Sequence, residues 1–192
     1  MRLYNLDLSA NKALERVRDV FCFGCFTGQR FSDISKLKRD DIRDGQWYLR
    51  TAKTKDPLEI PLNAFSEAII NKYLSNDEPL PVISNQKTNE HLKNLCQIAR
   101  INDKRKITKY RGAEKIEEIF FKYELISTHT ARRTFVTLSL EKGMRPETVM
   151  AITGHKDYKT FDKYVKISSK VKKVEMNRTW RMEPELKLAM KA

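Results

Sequence analysis

The chain of 192 residues is long enough to bury one real core, and a composition 40% apolar and 9% aromatic is that of a globular protein, not a disordered one. Lys and Arg outnumber Asp and Glu by 38 to 25, a net charge of +13, and the excess is lopsided: residues 1–100 carry 16 basic and 13 acidic side chains, residues 101–192 carry 22 and 12. Such a field calls for a polyanionic partner, nucleic acid ahead of an anionic membrane surface, and no stretch approaches the roughly 20 apolar residues of a membrane-spanning helix.

Ala10, Ala13, Leu14, Val17, Val20 and Phe21 recur at three- and four-residue steps, which predicts an amphipathic helix over about 10–26. Thr27-Gly28 ends it, and Phe31–Lys38 reads as a second, short helix that turns Ile34 and Leu37 inward. Asp40-Asp41 and Asp44-Gly45 make a turn. The β-rich runs 46–51 and 58–62 flank the polar tip 52–57, a hairpin pattern. Asn63 caps a helix from about 64 to 74, with Phe65, Ala68, Ile69 and Tyr73 on one face. A connector carrying Pro79 and Pro81 leads to a helix predicted from Asn89 to about 101. The heavily charged stretch 103–125, with Gly112 at its middle, reads as a loop with short strands. A helix over about 130–141 stops at Gly143, Pro146 opens the next, Gly154 closes it, and a last helix runs over about 158–167 into a basic tail. The expected fold class is mostly α with a small antiparallel β-sheet (α+β).

Residues 1–7 lack the apolar run of a secretory signal. Three cysteines cannot all pair with one another, which argues for a reducing compartment and a cytoplasmic protein. Cys22 and Cys25 form a C-x-x-C, but inside an apolar run and with no second C-x-x-C to complete a zinc site. Cys96 and His91, the only further ligand candidates, stand at a spacing no common zinc module uses. The cysteines read as core residues, and no metal site is expected.

Three local patterns carry chemistry: Thr27-Gly28-Gln29-Arg30-Phe31-Ser32-Asp33; His129-Thr130-Ala131-Arg132-Arg133-Thr134-Phe135; and Thr153-Gly154-His155, with Tyr164 nine residues after the histidine. Two arginines, two histidines and a tyrosine, placed at helix starts and turns, suit the gripping and attack of a phosphodiester. Arginine offers a planar fork to phosphate oxygens and never deprotonates. Histidine moves protons near neutral pH. Tyrosine is a nucleophile that can store the broken bond as a covalent ester. Tyr158 competes for that role but lies only three residues after His155 and reads as packing, beside Phe161 and Val165.

In their order and spacing these blocks resemble the catalytic domain of the tyrosine recombinase (phage integrase) family, over about residues 10–167. The resemblance implies that Arg30, Lys53, His129, Arg132, His155 and Tyr164 are the catalytic set, with Asp33 supporting Arg30. The hairpin lysine falls on Lys53, with Lys55 the runner-up. Many relatives carry His where this chain has Arg133, which reads as sequence drift or an extra phosphate contact; Lys55, Arg133 and Lys156 form the expected DNA-contacting set. The resemblance further implies double-stranded DNA as substrate and a 3′-phosphotyrosyl intermediate, with neither ATP nor metal. Residues 1–168 would be the catalytic domain and 169–192 a basic tail exchanged between subunits of a homotetramer on paired DNA sites, the free chain being a monomer. The separate helical DNA-clamping domain of the family is expected to be absent, since about ten residues precede the first helix. Two alternatives stand beside this reading: a type IB topoisomerase that relaxes supercoils, and a non-catalytic DNA-binding protein using residues 130–153 as a helix-turn-helix.

Overall fold

Asn11 starts the central helix of the fold, α1 (Lys12–Thr27), by accepting from the backbone N–H of Leu14 at 3.1 Å. A computed structural model describes residues 1–53, 55–162, 176, 177, 179 and 180. The second half of α1 is buried nearly all round, because two apolar clusters form against it, while a third forms on α5 (Thr128–Glu141).

The first cluster lies between α1, a three-stranded antiparallel sheet and α3 (Ala64–Lys72). That sheet is β1 (Ile42–Arg43), β2 (Gln46–Arg50) and β3 (Pro57–Pro61), with Trp47 opposite Ile60 in the β2–β3 register. Trp47 and Ile60 both point inward and are fully buried, and Phe23 of α1 lies 5.9 Å from the Trp47 ring. Asp19 is buried at the same junction because three donors reach it: Arg18 Nε at 2.8 Å, Lys72 Nζ at 2.7 Å and the Tyr73 hydroxyl at 2.7 Å. Beyond α3, the second cluster sets Leu92 and Leu95 of α4 (Asn85–Ile98) against Leu14, Val17 and Phe21 of α1 and Ala131 of α5. The third joins Phe135 and Val136 of α5 to Val149 of α6 (Pro146–Thr153) and Phe161 of α7 (Tyr158–Asp162).

Sequence and structure agree on a mostly helical chain but differ in detail. The second helix, α2, is only Phe31–Ile34 and gives way to a 3-10 turn over Arg39–Asp41. The fourth begins earlier than Asn89, since Ser84 caps it by accepting from the Lys87 N–H at 3.4 Å. Residues 103–125 are not a loop. They form a second antiparallel sheet, a hairpin of β4 (Lys104–Arg111) and β5 (Glu114–Phe121) followed by a 3-10 turn, Lys122–Leu125. Its charged surface hid the alternation of Ile107, Ile116 and Phe120 on one face.

Gly28 ends α1 in the left-handed conformation (φ 72°), and a Cβ there would lie 2.4 Å from the Phe135 ring of α5. Both effects act against any side chain. Gly28→Ala is therefore expected to lower unfolding free energy by about 2–4 kcal/mol, the sum of left-handed strain and overpacking. Urea unfolding followed by far-UV circular dichroism measures it; a loss within about 0.5 kcal/mol of zero would show that the junction relaxes freely.

Candidate active site

The site is built where α1 ends, α5 begins and α6 ends. After Gly28 the chain runs extended through Gln29, whose buried side-chain amide donates to the carbonyls of Thr27 (3.0 Å) and Ile152 (2.8 Å). That amide ties the end of α1 to the last turn of α6. Arg30 follows at the N-cap position of α2, and its Nη1 lies 3.9 Å from Oδ2 of the buried Asp33. The other carboxylate oxygen of Asp33 accepts from the backbone N–H of Ala52 at 2.7 Å, pinning the start of the β2–β3 tip. Asp33 thus stands beside Arg30 and fixes the backbone next to Lys53. Thr51 closes the tip: its N–H donates to the Asp56 carbonyl and its carbonyl accepts from Lys55 N–H, both at 3.0 Å. Lys53 and Lys55 are exposed, and Lys55 has left-handed backbone (φ 59°).

At the start of α5, Ser127 and Thr130 cap one another's backbone, while Asn89 of α4 accepts from the Thr128 N–H at 2.8 Å. This anchors the first turn, which carries the exposed His129. One turn on, Arg132 is 1% exposed. Its Nη1 donates to the Gly28 carbonyl at 3.1 Å, and its Nη2 faces both ring nitrogens of His155, 3.3 Å from Nδ1 and 3.2 Å from Nε2. Arg133, the next residue, is exposed.

His155 comes directly after Gly154, which closes α6 in the left-handed conformation (φ 68°); a Cβ there would lie 2.8 Å from Leu58. The Thr153 hydroxyl donates to the Val149 carbonyl at 2.6 Å, so at 2.7 Å from His155 Nδ1 it acts as acceptor. This assigns the ring proton to Nδ1 and leaves the Nε2 lone pair to accept from Arg132. Burial first, then the charges of Arg132, Arg30 and His129, push the His155 pKa down to about 4. His129 is lowered in the same direction, again by burial first and then by Arg132, Arg133 and Arg30. Phe161 packs its buried ring 5.4 Å from the His155 ring, edge to face.

Between the β2–β3 tip and the α6–α7 loop lies a cleft of about 300 Å³, lined by Thr51, Asp56, Leu58, Met150, His155 and Lys156. Lys156 spans its mouth with an ion pair to Asp56 at 2.7 Å. Among the described residues, no group of three His, Cys, Asp or Glu side chains is placed to hold a metal ion, and no helix is long and apolar enough to cross a membrane. Of the expected set, the structure brings Arg30, Asp33, Arg132 and His155 together, with Lys53 on the tip beside them and His129 one turn from Arg132. Tyr164 lies outside the described residues. Tyr158 is exposed, its ring 6.0 Å from Phe161. Sequence reasoning did not assign the roles of Gln29 and Thr153, although both stand inside motifs it singled out; a polar side chain beside a helix-ending glycine was the available signal.

A family model described as the phage integrase family matches residues 2–170. The chain belongs to the phage integrase family. Among curated relatives, the tyrosine recombinase XerD of Listeria innocua is 28% identical over 148 residues, which are 74% of this chain and 47% of that protein. The chain therefore spans about half the length of the curated relatives it matches. The crystal structure of XerA recombinase superposes with a TM-score of 0.64 at 18% identity, covering 95% of this chain and 62% of that one. That of a lambda integrase dimer bound to a COC′ core site gives 0.61 at 18% identity, covering 85% and 55%. These likenesses establish the phage integrase catalytic fold.

The titration of His155 generates a test. As pH falls from the ordinary histidine value of 6.5 towards about 4, the unfolded chain takes up a proton that the folded ring refuses. Stability should therefore decline through that window, with His129 adding in the same direction. Melting temperatures between pH 4 and 7 are expected to fall less steeply in His155→Gln than in the parent; identical slopes would mean that the ring is solvated and titrates normally.

Proposed function

We propose that this chain cleaves and rejoins double-stranded DNA at specific sites through a phosphotyrosyl intermediate. The observation that carries the reading is the convergence of Arg30, Arg132 and His155 around one point, with Arg132 buried and oriented before any substrate arrives. The non-bridging oxygens of a scissile phosphate would take the guanidinium donors of both arginines, where charge builds in the transition state. An incoming phosphate also places a negative charge beside a ring whose pKa burial and neighbouring cations hold down at about 4. That raises the pKa, so Nε2 can take a proton and donate to the phosphate while Nδ1 keeps its bond to Thr153.

Tyr164 is the nucleophile of this proposal. Its oxygen forms a bond to phosphorus, the bond from phosphorus to the 5′-oxygen breaks, and a 5′-hydroxyl leaves. Lys53, on the tip that Asp33 anchors, delivers the proton to that oxygen, and His129 assists proton removal from Tyr164. The ester keeps the bond energy, so rejoining is the same step reversed. Lys55, Arg133 and Lys156 lie on exposed surface around the site and would meet the flanking backbone. Family membership favours recombination over topoisomerase-like relaxation or binding alone. Assembly on DNA fits the family as well: the similar lambda integrase has been seen as a dimer on its core site. The proposed unit here is a homotetramer on paired sites, with the basic tail 169–192 reaching a neighbour. That tail lies outside the described residues apart from Met176, Asn177, Thr179 and Trp180.

Tyr164→Phe is expected to abolish covalent attachment to a nicked suicide duplex while leaving salt-sensitive binding intact, because it removes the nucleophile and no positive charge. Attachment lost in Tyr158→Phe and kept in Tyr164→Phe would move the nucleophile.

The same trapping assay run in EDTA is expected to give undiminished covalent product, since arginines take the place that a divalent ion fills in metal-dependent nucleases. Strict dependence on added magnesium for bond cleavage would overturn the mechanism.

A further inference from the structure

The β4–β5 hairpin is a large feature that the active site does not use. Its strands pair over their full length, Lys104 with Phe121 through Arg111 with Glu114, and its main packing partner is the 3-10 turn at its own base. At about 3.3 Å per residue, each strand of eight reaches roughly 26 Å. A two-stranded ribbon with no sheet behind it gains little stability from burial. One face of this one is open, with Tyr110 71% and Ile119 68% exposed, while Ile107, Ile116 and Phe120 on the other are half-buried.

The two strands differ sharply in charge. Five of the eight residues of β4 are Lys or Arg, and none is acidic. The glutamates of β5 neutralise part of this, Glu117 pairing with Lys106 and Lys115, and Glu118 with Lys109. Arg105 and Arg111 pair with no carboxylate among the described residues, and Lys104 rests against the Phe121 ring. Arg105, Lys109 and Arg111 share one face by the alternation of the strand, with Arg105 near the base and Arg111 beside the tip, about 20 Å apart. Lysine on an exposed edge also guards against unwanted strand pairing. Two arginines whose forks are left without a carboxylate go beyond that need, because their geometry matches phosphate.

The base of the ribbon is tied to the site. Lys122 N–H donates to the Asp103 carbonyl at 2.8 Å, closing the hairpin, and the 3-10 turn then leads through Ser127 into the first turn of α5 with His129. The ribbon thus joins the fold a few residues before the helix that carries His129 and Arg132. We propose that the β4–β5 ribbon is a second DNA-gripping arm, which holds the phosphate backbone beside the cleavage point through Arg105 and Arg111. The proposal rests on the DNA reading of the active site and adds to it a contact surface outside that site. The occupant is the sugar–phosphate backbone, independent of sequence. A ribbon of two strands also has the width that a major groove admits.

The test uses the full chain and a fluorescein-labelled duplex of arbitrary sequence, about 30 base pairs or roughly three helical turns long. Binding is followed by fluorescence anisotropy between about 50 and 200 mM salt. Arg105→Ala with Arg111→Ala is expected to make the slope of log K against log salt shallower by about 2, one unit for each lost phosphate contact. Lys106→Ala with Glu117→Ala, which removes a neutral pair, is expected to leave it unchanged. Circular dichroism melts establish that each variant is folded. If Arg105→Ala/Arg111→Ala keeps the parent slope and affinity, the arm does not touch DNA and the proposal falls. It falls equally if that variant keeps its slope but loses self-association in sedimentation velocity, because the ribbon is then an interface between copies. Failure of the parent chain to bind any duplex would instead overturn the DNA reading itself.

Discussion

A guanidinium that cannot lose its proton sits at Arg132 with 1% exposure, and the surrounding structure is arranged to satisfy it. Removing such a charge from water costs several kcal/mol unless its donors find partners. Two of its contacts are the backbone carbonyl of Gly28 and the ring of His155. Their placement demands that two helices end in left-handed glycines. Gly28 turns its carbonyl towards α5 while packing against Phe135, and Gly154 turns the chain so that His155 faces Arg132 while packing against Leu58. Gln29 then bolts the two helix ends together through Thr27 and Ile152. Each of these features makes sense only in the presence of the others. Replacing any one leaves a buried cation underserved, the kind of loss that costs more than the contact itself contributes.

Two carboxylates near the site have contacts of their own. Asp33 spends one oxygen on Ala52 N–H and stands 3.9 Å from Arg30, closer to orientation than to neutralisation. Asp56 meets Lys156 at the mouth. The cost of concentrating positive charge appears in the histidines, both driven towards the neutral form by burial and by the arginines. This is preorganisation in a plain sense. Repulsion among fixed cations is borne by the folded state through its apolar clusters, and an anion relieves it.

How much of this was legible in the sequence follows from the range of the interactions. Gly28, Arg30, Asp33, Arg132, Gly154 and His155 stand in short motifs whose function depends on local turns, and these read directly from spacing. The central helix and the Trp47–Ile60 sheet were legible because one face of each is apolar with the right period. The hairpin at 104–121 was not, because neither of its faces is buried and its apolar residues are interleaved with charge. Helix α2 stops four residues short of the expected Lys38 because, once Ile34 and Leu37 are both buried, a 3-10 turn serves the chain as well as another helical turn. Asp19 showed nothing in sequence, since the donors Lys72 and Tyr73 that justify its burial are more than fifty residues away. Tyr164 remains an inference from spacing to His155, being outside the described residues.

The division between buried and exposed groups separates what the fold sets in advance from what substrate must arrange. Arg132, Asp33 and Thr153 are buried, so the arrangement around them is set by the fold. Lys53, Lys55 and Lys156 are exposed. Lys156 is the informative one, because its ion pair with Asp56 joins the hairpin tip to the loop after His155. With the lysine side chain 73% exposed, that bond contributes at most about 1 kcal/mol and weakens further in salt. The tip does not depend on that pair for its shape, because Thr51 and Asp33 hold its backbone. Losing the ion pair would therefore open the mouth of the cleft without disturbing the strand that presents Lys53.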